Sequence, residues 1–123
     1  MHLGNFSISL AVKDINASQA FYEKLGFIQI MDDAAQGWLI LRSGSTKIGL
    51  FQGLFEKNTL TFNPVWDDDG NADATSEDIR SIQKRLTAAG IDVGPDIGAG
   101  TSGPASFSIL DPDGNPVLID QHV

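Results

Sequence analysis

The feature that most limits what this chain can fold into is a pattern that occurs twice. Shifting the sequence by 64 positions places Asp14 on Asp78, Ile15 on Ile79, Tyr22 on Leu86, Gly26 on Gly90 and Phe27 on Ile91. In both copies apolar residues at helical spacing run up to a glycine, which supplies a stop. A shift of 69 pairs Leu41 with Leu110, Ile48 with Val117 and Leu50 with Ile119, so the closing segments correspond too. An internal duplication is the economical explanation, and it predicts two similar modules.

Each module can be read in more detail. Phe6, Ile8, Leu10 and Val12 alternate with Ser7, Ser9 and Ala11, the period-two signature of a half-buried strand. Asp14 or Asn16 can cap the helix that follows. Strand-like runs cover Phe27 to Met31, Gly37 to Leu41 and Lys47 to Phe51, with Asp32-Asp33 and Ser43-Gly44-Ser45 as turns between them. The first half therefore reads β-α-β-β-β. Leu60 to Trp66 opens the second half, an acidic loop follows, and a second helix is expected to be capped near Ser76. Module one spans 1–53, a connector 54–58 and module two 59–123, all within a single domain. The stretch Gly94 to Gly103, with four glycines and one proline, reads either as a mobile loop beside a pocket or as a plain solvated connection.

Composition removes several function classes. The 123 residues fall in the ordinary single-domain range, and no apolar run approaches a membrane span. Without cysteine there is no disulfide, thiolate nucleophile, iron–sulfur cluster or Cys-type zinc site. Eight basic against 16 acidic residues give a net charge of −8, which repels nucleic acid and anionic membrane surfaces and otherwise serves solubility. The N-terminus carries no secretory pattern, so a cytoplasmic protein is expected.

Two apparent motifs are set aside. Gly98-Ala99-Gly100-Thr101-Ser102-Gly103 spells the dinucleotide fingerprint, yet Pro104 and a strand follow where that motif requires a helix N-terminus. Asp67-Asp68-Asp69-Gly70-Asn71 is similar to a calcium loop, but glycine stands fourth rather than sixth and no Glu closes the twelfth position.

Val12-Lys13-Asp14-Ile15 with Ser18, Phe21-Tyr22 and Leu25-Gly26-Phe27 resembles the opening of the vicinal oxygen chelate superfamily, which includes glyoxalase I, extradiol dioxygenases and bleomycin-resistance proteins. Asp111-Pro112-Asp113-Gly114-Asn115-Pro116 resembles its closing hairpin. The resemblance covers nearly the whole chain. It implies an α+β fold of two tandem βαβββ modules whose curled mixed sheets enclose a cavity. Enzymes of this superfamily hold a divalent metal with His and Glu, and carried over position by position those ligands fall on Ser7, Leu60, Gly49 and Leu118. None of these binds a metal, and a one-residue error at Leu60 offers only Thr59 or Thr61. No metal and no cofactor are therefore expected. His2 and His122 stand at opposite ends of the chain, and Asp120 with His122 on one face of the last strand is the only arrangement that keeps a displaced metal site open.

With Ser7 and Gly49 marking the cavity face, alternation adds Ser9, Ala11, Lys47 and Phe51, and in the second half Phe62, Pro116 and Asp120. Trp38, Trp66, Phe55 and Phe107 can supply an aromatic wall, while Glu56, Asn63, Gln52 and Arg42 can orient a ligand. Glu56, if enclosed by apolar neighbours, is a candidate metal-free general base. The leading reading is a metal-independent binding protein for a small molecule. The alternatives are a lyase, isomerase or dioxygenase with a displaced metal site, and a regulatory module without a small-molecule ligand. A homodimer is expected from the resemblance.

Overall fold

The computed structural model describes every residue except Ala34 and Ala99. Its elements are β1 (Asn5–Val12), α1 (Ile15–Lys24), β2 (Ile28–Asp33), β3 (Trp38–Ser43), β4 (Thr46–Gln52), β5 (Thr59–Asn63), α2 (Ile79–Ala88), β6 (Ala105–Leu110) and β7 (Pro116–Gln121). The architecture is α+β: the first half is β-α-β-β-β as expected, and the second half is β-α-β-β among the described residues. It divides into two compact units, Ser7–Thr59 and Met1–Phe6 with Leu60–Val123. No helix is long and apolar enough to cross a membrane among the described residues.

The two helices are built alike, residue for residue. Asp14, in extended conformation, accepts at Oδ1 from the Asn16 and Ala17 amides, each at 3.1 Å. Asp78 does the same for Arg80 at 2.9 Å, so the second cap is Asp78 and not Ser76. Ser76 Oγ accepts instead from the Val65 amide at 2.9 Å. Each helix closes with a left-handed glycine, Gly26 at φ +97° and Gly90 at φ +86°. In both closures the glycine and the residue after it donate to helix carbonyls: Gly26 to Glu23 and Phe27 to Tyr22, Gly90 to Thr87 and Ile91 to Leu86. These are paired Schellman motifs, which satisfy carbonyls a helix end would leave exposed.

A further repeat escaped the sequence reading. The Ile15 amide donates to Gln52 Oε1 at 2.8 Å, and the Ile79 amide donates to Gln121 Oε1 at 2.8 Å. Gln52 and Gln121 end equivalent strands, so in each module a strand glutamine satisfies the first amide of the helix. Two turns also match. Asp67-x-Asp-Gly-Asn71 and Asp111-x-Asp-Gly-Asn115 are both closed by the first Asp, whose Oδ1 accepts from the third and fifth amides at 2.8–2.9 Å. The first of them is therefore a hydrogen-bonded turn of the same design as the closing hairpin.

In the Ser7–Thr59 unit the strands run in the order β2-β3-β4-β1, with β4 and β1 parallel and the others antiparallel. Leu39, Leu41, Ile48 and Leu50 form the core, joined by Ile8, Leu10 and Val12 of β1 and by Ile15, Tyr22 and Phe27 from the helix side. In the other unit the order is β5-β7-β6, with β5 and β7 parallel. Ile79, Ile82, Val93, Phe107 and Ile119 make its core.

The strand registers correct one alignment. Leu41 pairs with Ile48, whereas Val117 pairs with Ile109, so the counterpart of Leu41 is Ile109 and not Leu110. Leu41 is fully buried and Leu110 is 67% exposed, as opposite faces require. Five residues, Asp111–Asn115, separate the pair Leu110 and Pro116, where four, Ser43–Thr46, separate Arg42 and Lys47, so the alignment moves by one position. The strand expected from Ile91 is also absent: no strand forms between Gly90 and Gly103 among the described residues.

Side chains tie that glycine-rich segment down. Gln83 donates to Pro95 O at 3.0 Å and accepts from the Ile97 amide at 3.1 Å. The buried Arg80 guanidinium donates to Thr101 Oγ1 and Gly103 O, each at 3.0 Å, while pairing with Asp78 at 3.2 Å. The segment also lines a cleft along α2 through Gly94 and Asp96. The dinucleotide-like run includes Ala99, which lies outside the described residues.

Candidate functional site

The helix-free face of the Ser7–Thr59 unit is set by alternation. Residues paired across neighbouring strands point to the same side. Ser9, Gly49 and Ile40 form one row, and Ala11, Phe51 and Trp38 the next. Arg42 and Lys47 pair in the row on the other side of Gly49, and Ser7 joins them one step before Ile8. Ser7, Ser9, Lys47, Gly49, Phe51 and Trp38, chosen from sequence, are thus brought to one face. The core residues Leu39, Leu41, Ile48 and Leu50 occupy the other.

This face changes character along the strands. At one end stand Arg42 and Lys47, the latter only 6% exposed. In the middle are the buried Ser9 and Gly49. At the far end Trp38 and Phe51 stack with centroids 6.2 Å apart and planes at 24°, and Phe55 lies 5.1 Å from Phe51. The Phe51 ring folds back over Gly49. A Cβ at position 49 would stand 2.6 Å from Phe51 Cε2 and 3.2 Å from Ile40 Cδ1. Glycine is what allows the ring to lie there.

Gly49 is one of the positions on which a superfamily metal ligand falls, and the ring occupies the space that a carboxylate would need. The parallel registers define its equivalents. The partners Ile8 and Ile48 become Leu60 and Val117, so the second-module counterpart of Ser7 is Thr59, not Leu60. Ser7, Gly49, Thr59 and Leu118 offer one glycine, one leucine and two neutral hydroxyls. This donor set does not fit a divalent transition ion. No group of three His, Asp or Glu side chains is placed to hold a metal among the described residues.

In the other unit the predicted residues divide between two faces. Phe62 pairs with Ile119 and packs into the α2 core, with its ring 5.1 Å from that of Phe6. Leu60 pairs with Val117 on that same face. Both are corrected from the cavity side, because counting from Leu60 instead of Thr59 inverts the alternation. Asn63, Leu118 and Asp120 keep the helix-free face, with Thr61, Ser106 and Ser108 beside them. Asn63 Nδ2 donates to the Asp120 carbonyl at 2.8 Å. Trp66 does not continue β5. It follows Val65, whose φ of +71° is unusual for a β-branched residue, and its indole stacks on His122 at 4.6 Å and 10°. His122 Nε2 lies 3.3 Å from Asp120 Oδ2. Glu56 is exposed on the connector and lacks the apolar enclosure that a general base there would need.

Sequence reasoning also missed a cleft of about 530 Å³ along α2, lined by Gln83, Lys84, Thr87, Ile91, Val93 and Asp96 among others. Its volume suits a small molecule. Its buried polar side chains, Arg80 and Gln83, are committed to the glycine-rich segment, so it offers structure more than recognition.

The sequence profile of the Glyoxalase/Bleomycin resistance protein/Dioxygenase superfamily matches residues 4–119. The chain belongs to this superfamily. Solved structures agree on the fold. A superfamily member from Vibrio splendidus 12B01 is 18% identical with a TM-score of 0.66, covering 95% of this chain and 97% of its own. A protein described as NAD-dependent benzaldehyde dehydrogenase from Legionella pneumophila is 14% identical with a TM-score of 0.64, over 96% and 99%. An uncharacterized protein from Methanosarcina mazei is 13% identical with a TM-score of 0.54, over 100% and 95%. Comparison with curated proteins gives no match. At these identities the likenesses establish the glyoxalase-type fold alone.

Proposed function

We propose that the chain is a metal-independent small-molecule binding protein of the glyoxalase/bleomycin-resistance type, whose ligand rests on the helix-free face of β1, β3 and β4. The observation that carries this reading is the Phe51 ring lying over Gly49 and stacked with Trp38. An aromatic floor stands where a metal-binding member would place a carboxylate. Flat aromatic surface favours an organic ligand by apolar burial and ring stacking, without needing an ion. In the second module Asn63, Leu118 and Asp120 are the equivalent candidates. Superfamily membership supports a homodimer, the acidic composition argues against nucleic-acid partners, and a cytoplasmic setting is part of the same proposal. Native mass spectrometry of freshly purified protein tests the reading. A metal-free species carrying an organic adduct, lost on Phe51→Ala, is expected. Stoichiometric divalent metal would overturn it.

A second reading, an enzyme with a displaced metal site, is favoured by one contact, the 3.3 Å approach of His122 Nε2 to Asp120 Oδ2. Zinc titration of wild type and His122→Ala decides it: equal affinities would end this reading.

A further inference from the structure

The aromatic end of the Ser7–Thr59 face carries a charge as well as rings. Asp33 pairs with Trp38 across β2 and β3, so its side chain stands in the same row as Trp38 and Phe51. Neighbouring strands are about 4.8 Å apart, which sets Asp33 one strand spacing from Trp38 and two from Phe51. Its Oδ1 accepts from the Gln36 amide at 3.2 Å, within the turn that joins β2 to β3. A neutral amide does not compensate a carboxylate's charge, and Asp33 enters no ion pair among the described residues. Oδ2 has no hydrogen-bond donor there either. The residue is partly buried, so an unpaired negative charge stands beside the Trp38 ring with less than full hydration.

We propose that this end selects a small planar aromatic cation bearing N–H donors, its rings on Trp38 and Phe51 and its charged group on Asp33. The proposal rests on the small-molecule reading above and adds the ligand's chemical class. Planarity follows from the floor: Trp38 and Phe51 lie within 24° of parallel, and a flat ring system covers both. Positive charge follows from what surrounds it. The faces of these rings attract a cation within about 6 Å, and an ionised N–H donor makes a charge-assisted hydrogen bond to a carboxylate. A group attached to a ring on Trp38 has only about one strand spacing of 4.8 Å to cross to reach Asp33. The basic pair Arg42 and Lys47 does not reverse the preference. It stands two same-face steps along the strand from Trp38 and Phe51, about 13 Å, and charges beyond about 10 Å are largely screened at 0.1 M salt. The net charge of −8 acts in the same direction as Asp33.

Isothermal titration calorimetry with four probes tests this: 2-naphthamidine, its neutral isostere 2-naphthamide, its anionic isostere 2-naphthoate, and the non-planar cation cyclohexanecarboxamidine. Naphthamidine is expected to bind at least about tenfold tighter than each of the others. Asp33→Asn keeps an oxygen for the Gln36 amide and removes only the charge, so it should bring naphthamidine down to the level of naphthamide while naphthamide itself is unchanged. Phe51→Leu should weaken both of these probes together. Loss of both on Asp33→Asn would show a structural role for Asp33 and overturn the assignment. Equal binding of naphthamidine and naphthamide by wild type, both weakened by Phe51→Leu, would overturn the charge preference and leave the small-molecule reading standing. Saturable binding of none of the probes would overturn the proposal, and the adduct measured by native mass spectrometry then decides the broader reading separately.

Discussion

Replacing Gln121 with Leu removes four hydrogen bonds from one nearly inaccessible side chain, while Gln52→Leu removes the equivalent contact at the surface. Gln121 is 2% exposed. Its Oε1 accepts from the Ile79 amide at 2.8 Å, and its Nε2 donates to Asp78 Oδ2, Gly103 O and Val123 O at 3.1, 3.2 and 2.9 Å. Ile79 is fully buried, so the substitution leaves its amide without a partner, at a cost of about 1–3 kcal/mol. Losing the donation to the Asp78 carboxylate adds about 1 kcal/mol, discounted for that partner's partial exposure. Together these predict a loss of about 2–4 kcal/mol. Gln52 is exposed and satisfies the half-buried Ile15, where water can substitute, so Gln52→Leu should cost less than about 1 kcal/mol. Urea unfolding of both variants beside wild type provides the assay. Equal losses, or a Gln121→Leu loss below about 1 kcal/mol, would refute the claim that buried cap satisfaction holds α2 in place.

Further outcomes follow from the same contacts. Gly4→Ala should destabilise by more than about 1 kcal/mol in the same assay, since a Cβ would lie 2.1 Å from Asn63 O at a residue with φ +83°. Arg80→Met should speed amide exchange in residues 94–103 relative to β7, because Thr101 and Gly103 lose their anchor; unchanged exchange there would count against it. At Asp78 burial favours the neutral acid, but hydrogen bonds from the Arg80 amide, Gln121 and the Arg80 guanidinium, with the guanidinium charge, outweigh it and hold the carboxyl below its ordinary 3.8. Its stabilising contribution is therefore present above that value and is lost as pH falls through the lower folded pKa. Acid unfolding should show a shallower loss of stability below about pH 4 in Asp78→Asn than in wild type.

The fold was legible because its signals are local. Asp14, Gly26 and Gly90 act within one helical turn of themselves, and the alternation of Ile8, Leu10 and Val12 fixes a face without reference to anything distant. The errors arose where distant pairing decides. A turn one residue longer than its counterpart moved Leu110 off the core face, and a one-residue slip at Thr59 put Leu60 and Phe62 on the wrong side. Ser76 has the chemistry of a cap, but Val65 claims its hydroxyl. The irregular path after Ile91 depends on Gln83 and Arg80 reaching residues 12 to 23 positions away, which no local pattern reports. At the candidate site, alternation gathered Ser9, Lys47, Gly49 and Phe51, whereas the return of the Phe51 ring over Gly49 depends on a side-chain conformation that sequence does not carry.

The central claim is that an aromatic floor has taken the place of a metal in binding. It is tested most directly by native mass spectrometry of chelator-treated protein and of the same protein supplied with excess zinc or manganese, following the organic adduct. The account predicts the same adduct occupancy in all three conditions and its loss in Phe51→Leu. Binding that appears only when metal is restored, and that survives Phe51→Leu, would contradict it.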